Sequence, residues 1–282
     1  MQLEKYHALG NDYLVLDSRN HPDLLNTEQI KLLCHRNFGF GSDGMLYGPI
    51  YENNKLKVRI YNPDGSEAEK SGNGVRIFSK YLKDFGYITN DQFTLSTLGG
   101  DVEVQYLSPN DEKMRVLMGK TTCLSSLLPA TGKEREIINE EMIFNNQKYS
   151  VTCVSIGNPH CVIPMKLISK ELVTKLGPYV ENSTNFPNRI NMQLLEVIDR
   201  SHINIEIYER GAGYTLASGS SSCAAATAAY RLGLVDSKVI VHMPGGDLLI
   251  EILPDSSVYM TGDVKRIGTF ILSEDFFHEL IN

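Results

Sequence analysis

Many short segments of the chain alternate hydrophobic and polar residues, a period of two that is typical of strands with one buried face. Two clear examples are KLKVRIYN at residues 55–62 and INIEIYE at residues 203–209. Between such segments lie stretches with the spacing of helices, namely TEQIKLLCHRN at 27–37, SGNGVRIFSKYL at 71–82, KELVTKLGPYV at 170–180 and SGSSSCAAATAAYRLG at 218–233. The pattern predicts an α+β protein.

The order of these segments occurs twice along the chain. Four short matches recur in the same order: Gly10-Asn11 and Gly157-Asn158, Ile60-Tyr61 and Ile207-Tyr208, and Ser71-Gly72 and Ser218-Gly219, each 147 positions apart, and Gly99-Gly100-Asp101 and Gly245-Gly246-Asp247, 146 positions apart. Each Gly-Gly-Asp opens a predicted hairpin, with turns at Ser108-Pro109-Asn110-Asp111 and at Pro254-Asp255-Ser256. The repeated order indicates an internal duplication.

The duplication predicts two similar domains, one of residues 1–119 and one of residues 120–263. The periodicity breaks after residue 119, and residues 264–282 have no counterpart in the repeat, so we expect them to pack on the first domain. Duplicated domains commonly face each other across a ligand cleft. Such an arrangement would bring Ser71 toward Ser218, Asn11 toward Asn158, and Asn62 toward Glu209.

Charge and composition narrow the range of partners. The formal net charge of −7 and the lack of a basic cluster argue against nucleic acid. No apolar run is long enough to cross a bilayer, and the N-terminus has no signal-peptide pattern, so no membrane partner is expected. Five cysteines without CxxC spacing suggest free thiols, no metal site and a cytoplasmic location.

The two Ser-Gly sequences suggest a reaction. A serine before a helix is most often only an N-cap. Two such serines on opposite faces of one ligand could, however, remove a proton from a carbon and return one to the other face. Helix N-termini bind carboxylates and stabilise developing negative charge. Four asparagines (Asn11, Asn62, Asn158 and Asn191) and the neighbouring Glu209 and Arg210 offer groups that suit an amino-acid substrate.

The chain resembles the diaminopimelate epimerase family over almost its whole length. The matching motifs are HALGNDYLVLD (7–17), FGSDG (40–44), YNPDGSEAEKSGNGVRIF (61–78), SIGNPHCVI (155–163), NRINM (188–192), YERGAGYTLASGSSSC (208–223), HMPGGDL (242–248) and YMTG (259–262). The resemblance implies two pseudo-symmetric domains, each a mixed or antiparallel sheet wrapped round a central helix. It also implies a homodimer with no cofactor and no metal.

The resemblance further implies a reaction and a set of site residues. The reaction is proton transfer at the α-carbon of an amino acid, converting LL-diaminopimelate to the meso form for lysine biosynthesis. Ser71 and Ser218 take the acid/base positions. The implied substrate-binding residues are Asn11, Asn62, Gly72, Asn73, Asn158, Asn191, Glu209, Arg210, Gly219 and Ser220.

The departures from the family pattern bear on activity. The family has cysteine at the positions of Ser71 and Ser218, glutamate at Tyr214 and glycine at Ser221. A serine hydroxyl is a weak base unless a neighbouring group activates it. Three interpretations follow: an epimerase whose cysteines were replaced, a divergent racemase of another amino acid assisted by His160 or Tyr214, or an inactive paralogue that only binds an amino acid.

Overall fold

A computed structural model describes residues 1–108 and 112–281. The chain forms two compact units, one of residues 1–116 and 262–282 and one of residues 117–261. The turn predicted at Ser108-Pro109-Asn110-Asp111 falls largely outside the described residues. Among the helices of the described chain, none has the length and apolarity needed to span a membrane.

The first unit contains most of the following elements, in chain order. They are β1 (Gln2–Ala8), β2 (Asn11–Asp17), α1 (Thr27–Cys34), β3 (Met45–Glu52), β4 (Lys55–Tyr61), β5 (Glu67–Ala68), α2 (Gly72–Asp84), β6 (Gln92–Thr97), β7 (Gly100–Tyr106) and β8 (Lys113–Lys120). Most pairings are antiparallel, but β2 with β3 and β4 with β6 are parallel. The sheet is therefore mixed.

Helix α2 is the central helix of the first unit. Ten consecutive residues, Asn73–Leu82, are buried, and the helix contacts β1, β2, β3 and β7. A helix that is buried on all sides packs in a core rather than on a surface. The sheet of the first unit therefore encloses α2.

The second unit follows with its own set of elements. They are a short 3₁₀ helix (Ser125–Leu127), β9 (Glu140–Phe144), β10 (Gln147–Ser155), β11 (Pro159–Pro164), α3 (Lys170–Glu181), β12 (Asn191–Val197), β13 (His202–Glu209), β14 (Gly213–Thr215), α4 (Gly219–Arg231), β15 (Lys238–Met243), β16 (Gly246–Ile252) and β17 (Ser257–Asp263). The predicted turn at Pro254-Asp255-Ser256 is confirmed between β16 and β17.

Helix α4 occupies in the second unit the place that α2 has in the first. Its sequence GSSSCAAATAAYR is made almost entirely of small residues, and strands β10, β11, β12, β13, β15 and β16 contact it. Small side chains let strands approach a helix closely from several directions. The contrast with α2, which carries Phe78 and Tyr81, shows that the two cores are filled differently.

The last two elements return to the first unit. Strand β18 (Lys265–Ile271) pairs with β1, and helix α5 (Glu274–Ile281) contacts α1. The side-chain amide of Gln29 donates to the carbonyl of Leu280 at 3.1 Å.

The sheets of the two units share one topology. Strands β11 with β12 and β13 with β15 are parallel, as are β2 with β3 and β4 with β6. In register, Leu14 lies opposite Met45 and Cys161 opposite Met192, so the paired positions are again 147 apart. The α+β class and the pseudo-symmetric domains predicted from the sequence are confirmed.

Candidate active site

Ser71 is the N-cap of α2, as its sequence context predicts. Its backbone is extended, with φ −135° and ψ 121°, and its Oγ accepts a hydrogen bond from Gly74 N at 3.0 Å. The first N–H groups of a helix have no acceptor within the helix. The Gly72 and Asn73 end of α2 therefore has the polarity needed to hold a carboxylate.

Tyr13 on β2 lies against this serine. Its Oη is 3.3 Å from Ser71 Oγ, and either hydroxyl can be the donor. Gly44 makes room for the ring, because a Cβ at that position would lie 2.6 Å from Cε1 of Tyr13. Tyr13 is not among the site residues predicted from the sequence. It lies 147 positions before His160, so the repeat offset could have identified it.

A chain of amides and charges fixes Asn11 beside α2. Asn73 Nδ2 donates to Asn11 Oδ1 at 3.0 Å, and Asn11 Nδ2 donates to Asp43 Oδ2 at 2.9 Å. The fully buried Arg76 donates to Asn73 Oδ1 at 2.8 Å, and Arg36 donates to Asp43 Oδ1 at 2.6 Å. The orientation of both amides is therefore determined by charged partners.

Asn62 belongs to a separate turn. Its Nδ2 donates to Ser66 Oγ at 2.9 Å, and its backbone N donates to the Ser66 carbonyl. Within the described part of the chain it makes no hydrogen bond to Ser71 or Asn11.

Ser218 caps α4 in the second unit. Its φ and ψ of −146° and 126° are close to those of Ser71, and its Oγ accepts from Ser221 N at 3.4 Å. Its Oγ also lies 3.5 Å from Ser220 Oγ. The N-terminus formed by Gly219 and Ser220 thus has the same cap geometry as that of α2.

A carboxylate lies beside Ser218. Burial raises the pKa of the Glu209 carboxyl, while hydrogen bonds from Ser218 and Thr215 act in the opposite direction. Thr215 Oγ1 donates to Glu209 Oε2 at 3.2 Å. A carboxyl with a raised pKa near a serine hydroxyl has the properties of a general base.

His160 contacts Asn158 rather than Ser218. The imidazole is fully buried, and burial lowers the pKa of His160 to about 3, so the ring is neutral. Its Nδ1 lies 3.1 Å from Gln193 Nε2 and its Nε2 lies 3.0 Å from Asn158 Oδ1. Because an amide nitrogen only donates, Nδ1 accepts and Nε2 carries the proton.

The interactions of His160 extend into a network of polar side chains. Asn158 Nδ2 donates to Ser220 Oγ at 3.3 Å, and Gln193 Nε2 donates to Ser221 Oγ at 3.0 Å. We call His160, Gln193, Asn158, Ser220 and Ser221 the histidine network. It orients the Asn158 amide and supports the first turn of α4.

Asn191 and Arg210 form a second pair in this unit. Asn191 Nδ2 donates to the Pro159 carbonyl at 2.9 Å, and its Oδ1 accepts from Arg210 N at 2.9 Å. The exposed guanidinium of Arg210 donates to the Asn188 carbonyl at 3.1 Å.

Tyr214 points away from Ser218. Thr215 contacts Glu209 on one face of the sheet, and adjacent strand residues point to opposite faces, so Tyr214 lies on the other. There it packs on the core of the second unit beneath the ammonium of Lys170. Burial, followed by the hydrogen bond to Glu206, raises the pKa of Tyr214 to about 12. This placement does not support direct assistance to Ser218.

The structure thus gathers the predicted residues into two groups. In the first unit Ser71, Gly72, Asn73 and Asn11 lie together, and Tyr13 joins them. The second group, in the second unit, consists of Ser218, Gly219, Ser220, Asn158 and Glu209. His160 contacts the Asn158 amide. In the parts of the chain at 1–108 and 112–281, no three His, Cys, Asp or Glu side chains form a group that could hold a metal ion.

Comparison with solved structures defines the class of fold. A hydroxyproline epimerase from Agrobacterium vitis with bound trans-4-hydroxy-L-proline has a TM-score of 0.68 at 13% identity, covering 96% of this chain and 91% of that one. A probable proline racemase from Agrobacterium radiobacter, with bound carbonate, has a TM-score of 0.66 at 13% identity, covering 98% and 94%. The chain has the two-unit fold of these amino-acid racemases and epimerases.

Sequence comparison identifies the family. The family model described as diaminopimelate epimerase matches residues 3–124 and 152–267. "Diaminopimelate epimerase 2" of Nostoc sp. is 49% identical over 98% of this chain and 97% of its own length. "Diaminopimelate epimerase 1" of the same organism is 36% identical over 95% and 98%. The chain belongs to the diaminopimelate epimerase family.

Proposed function

We propose that this chain is a cofactor-independent epimerase that inverts the α-carbon of diaminopimelate, interconverting its LL and meso forms. The observation that carries the proposal is the pair of equivalent helix N-termini, capped by Ser71 and Ser218 with nearly the same backbone geometry. In the proposed reaction one serine removes the α-proton and the other returns a proton to the α-carbon. Backbone N–H groups at Gly72-Asn73 and Gly219-Ser220 hold the carboxylate of the reacting centre and the charge that develops on it.

Glu209 supports proton removal on the side of Ser218. The Ser218 hydroxyl lies near enough to lower the pKa of this carboxyl, against the larger effect of burial. When Ser218 Oγ takes the α-proton, its own proton passes to Glu209, so no free alkoxide forms. A weak nucleophile or base is commonly activated by an adjacent base in this way.

Asn11, Asn158, Asn191, Arg210 and Asn62 are proposed to bind the remainder of the substrate. Hydrogen bonds to Asn73 and His160 fix the amides of Asn11 and Asn158. Fixed amides favour binding of one specific substrate. A divergent subgroup is a natural explanation of the serines. It is supported by Tyr214 and Ser221, where the chain also departs from the family pattern.

A second candidate function is binding without catalysis. It is favoured by one observation: both serines already serve as N-caps, which a serine does without any chemical role. In that case the same residues hold an amino acid and release it unchanged.

Proton NMR in D₂O separates these functions. The chain is incubated with LL- and meso-diaminopimelate and with a panel of other amino acids, beside a Ser71→Cys/Ser218→Cys variant as control. Loss of the α-proton signal with the unsubstituted chain supports the epimerase and names the substrate. Calorimetric binding without exchange by either protein contradicts it and favours the binding role.

We propose a cytoplasmic location from the state of the cysteines. All five cysteines are free and buried, which fits a reducing compartment such as the cytoplasm. A homodimer is proposed from the family resemblance alone, and analytical ultracentrifugation of the full chain tests it.

A further inference from the structure

We propose that Tyr13 is a positioning and proton-relay residue for Ser71, and that it supplies the proton that Ser71 delivers to the α-carbon. The inference rests on the proposed function and deepens it, because it names the group that makes one serine competent as an acid. It is carried by the contact between the two hydroxyls, 3.3 Å from oxygen to oxygen.

The hydrogen bonds of Ser71 limit how its proton can point. Gly74 N donates to Ser71 Oγ at 3.0 Å and so occupies one lone pair. If Tyr13 donates to the other lone pair, the Ser71 proton is directed away from both partners and is available to the substrate. If Ser71 instead donates to Tyr13, the proton is turned away from the substrate. The tyrosine hydroxyl therefore controls the state of the serine.

The relay balances in protons and charge. The electron pair on the deprotonated α-carbon forms a C–H bond with the Ser71 proton, and the Ser71 O–H bond breaks. A new O–H bond on Ser71 forms as the Tyr13 O–H bond breaks, which leaves the negative charge on the phenol oxygen. A phenol is far more acidic than an aliphatic alcohol, so the charge rests on the more stable anion. After product release Glu209 gives its proton to solvent and the Tyr13 phenolate takes one from solvent, which restores both groups.

The fold holds Tyr13 in position for this role. The residue is nearly fully buried on β2, two positions after Asn11, and Gly44 leaves space for its ring. Its counterpart in the second unit, His160, bonds to Asn158 and not to the capping serine. The relay is thus a property of the first unit, whereas the second unit has Glu209 beside its serine.

A double-mutant cycle on the full chain tests the relay. Tyr13→Phe and Ser71→Cys are made singly and together, and kcat and KM are measured for epimerisation of diaminopimelate. With Ser71 present, Tyr13→Phe should lower kcat about 10²-fold, the range of general acid–base effects, with little change in KM. In the Ser71→Cys background the loss should fall below about 3-fold, because a thiol is acidic enough to act without help. The matched control is Tyr47→Phe, whose hydroxyl donates to the backbone carbonyls of His21 and Pro22.

A second readout separates proton relay from simple packing. Replacing Tyr13 with 3,5-difluorotyrosine, a more acidic phenol, should move the alkaline limb of the pH–rate profile to lower pH with Ser71 but not in the Ser71→Cys background. Equal losses in both backgrounds, or an unmoved profile, overturn the relay and leave the proposed function intact. An inactive unsubstituted chain beside an active Ser71→Cys/Ser218→Cys variant also overturns the relay. If neither protein epimerises diaminopimelate, both the proposed function and the relay are overturned.

Discussion

The N-termini of α2 and α4 are the same backbone structure with different side chains round it. Both begin at a serine in the extended conformation, and each serine accepts a hydrogen bond from the N–H three residues further on. Around Ser71 lie a tyrosine hydroxyl and two amides anchored by arginine. Around Ser218 lie a carboxylate and the histidine network. Duplication has kept the backbone and changed the acid–base partners.

The different partners of Ser71 and Ser218 suit a reaction in which the two serines have opposite roles in each turnover. One side must accept a proton while the other gives one. Glu209, on the side of Ser218, is an acceptor when ionised, and Tyr13, on the side of Ser71, is a donor when neutral. Changes that make the two sides alike should therefore reduce activity more than changes elsewhere in the fold.

The largest expected effect follows removal of the carboxylate beside Ser218. Glu209→Gln should lower kcat by about 10²- to 10³-fold, because the base that receives the Ser218 proton is lost. The same change in a Ser218→Cys background should cost less, since a thiol needs less assistance. If the two losses are equal, Glu209 only binds substrate.

The pH dependence of activity should report the same group. Burial raises the pKa of Glu209, with Ser218 and Thr215 opposing it, so the carboxylate form is lost as the pH falls through a value above that of an ordinary glutamate. The rate should therefore decline on the acid side at a higher pH than a free glutamate would give. A profile of kcat/KM for the unsubstituted chain measures this, and Glu209→Asp serves as control. An acid limb that lies no higher than the pKa of an ordinary glutamate, about 4.3, contradicts the assignment.

In the histidine network, a paired substitution should lower the free energy of unfolding less than a single one. Leu46 and Gly74 occupy in the first unit the places of Gln193 and Ser221, and there the contact is apolar. Gln193→Leu alone strips the His160 Nδ1 and Ser221 Oγ of a donor and should cost about 1–3 kcal/mol of unfolding free energy. Gln193→Leu with Ser221→Gly should cost less. Urea denaturation of both variants tests this, and additive losses contradict it.

Acid should destabilise the second unit through His160. Its pKa of about 3 lies below the ordinary value for histidine, so the unfolded state binds one more proton over the interval between them. Stability is therefore full above about pH 6.5 and falls by up to about 1.4 kcal/mol per pH unit below it. Urea unfolding at pH 7 and pH 5.5 should show a smaller drop for His160→Gln than for the unsubstituted chain. Equal drops would show that His160 does not carry the effect.

The smallest expected effect is that of the caps on stability. Ser71→Ala and Ser218→Ala each remove one side-chain acceptor of a helix N–H and should each lower stability by about 1 kcal/mol. Thermal unfolding measures both. Because the cap geometry is shared, a difference of more than about 1 kcal/mol would show that one serine is structurally more than a cap.

Much of the fold could be predicted from the sequence because it depends on local signals and spacing. Period-two segments, Ser-Gly helix starts and a constant offset indicated the elements and their duplication. The placement of Tyr214 could not be predicted, because β14 is only three residues long and the face of each residue depends on its pairing with β13. The neutral state of His160 arises from complete burial, which a single polar residue in a motif does not reveal. Tyr13 could have been predicted, because the offset that links Asn11 to Asn158 also links Tyr13 to His160.

The most direct test of the proposed proton transfer follows deuterium incorporation by the unsubstituted chain. LL-diaminopimelate is incubated with the full chain in D₂O, and the isomers are separated and analysed by mass spectrometry. We predict meso product carrying one solvent deuterium at the inverted carbon, formed by Ser71 and Ser218 with Tyr13 and Glu209. No meso product from this chain, beside ready conversion by the Ser71→Cys/Ser218→Cys variant, would contradict the claim that the serines and their partners perform the proton transfer.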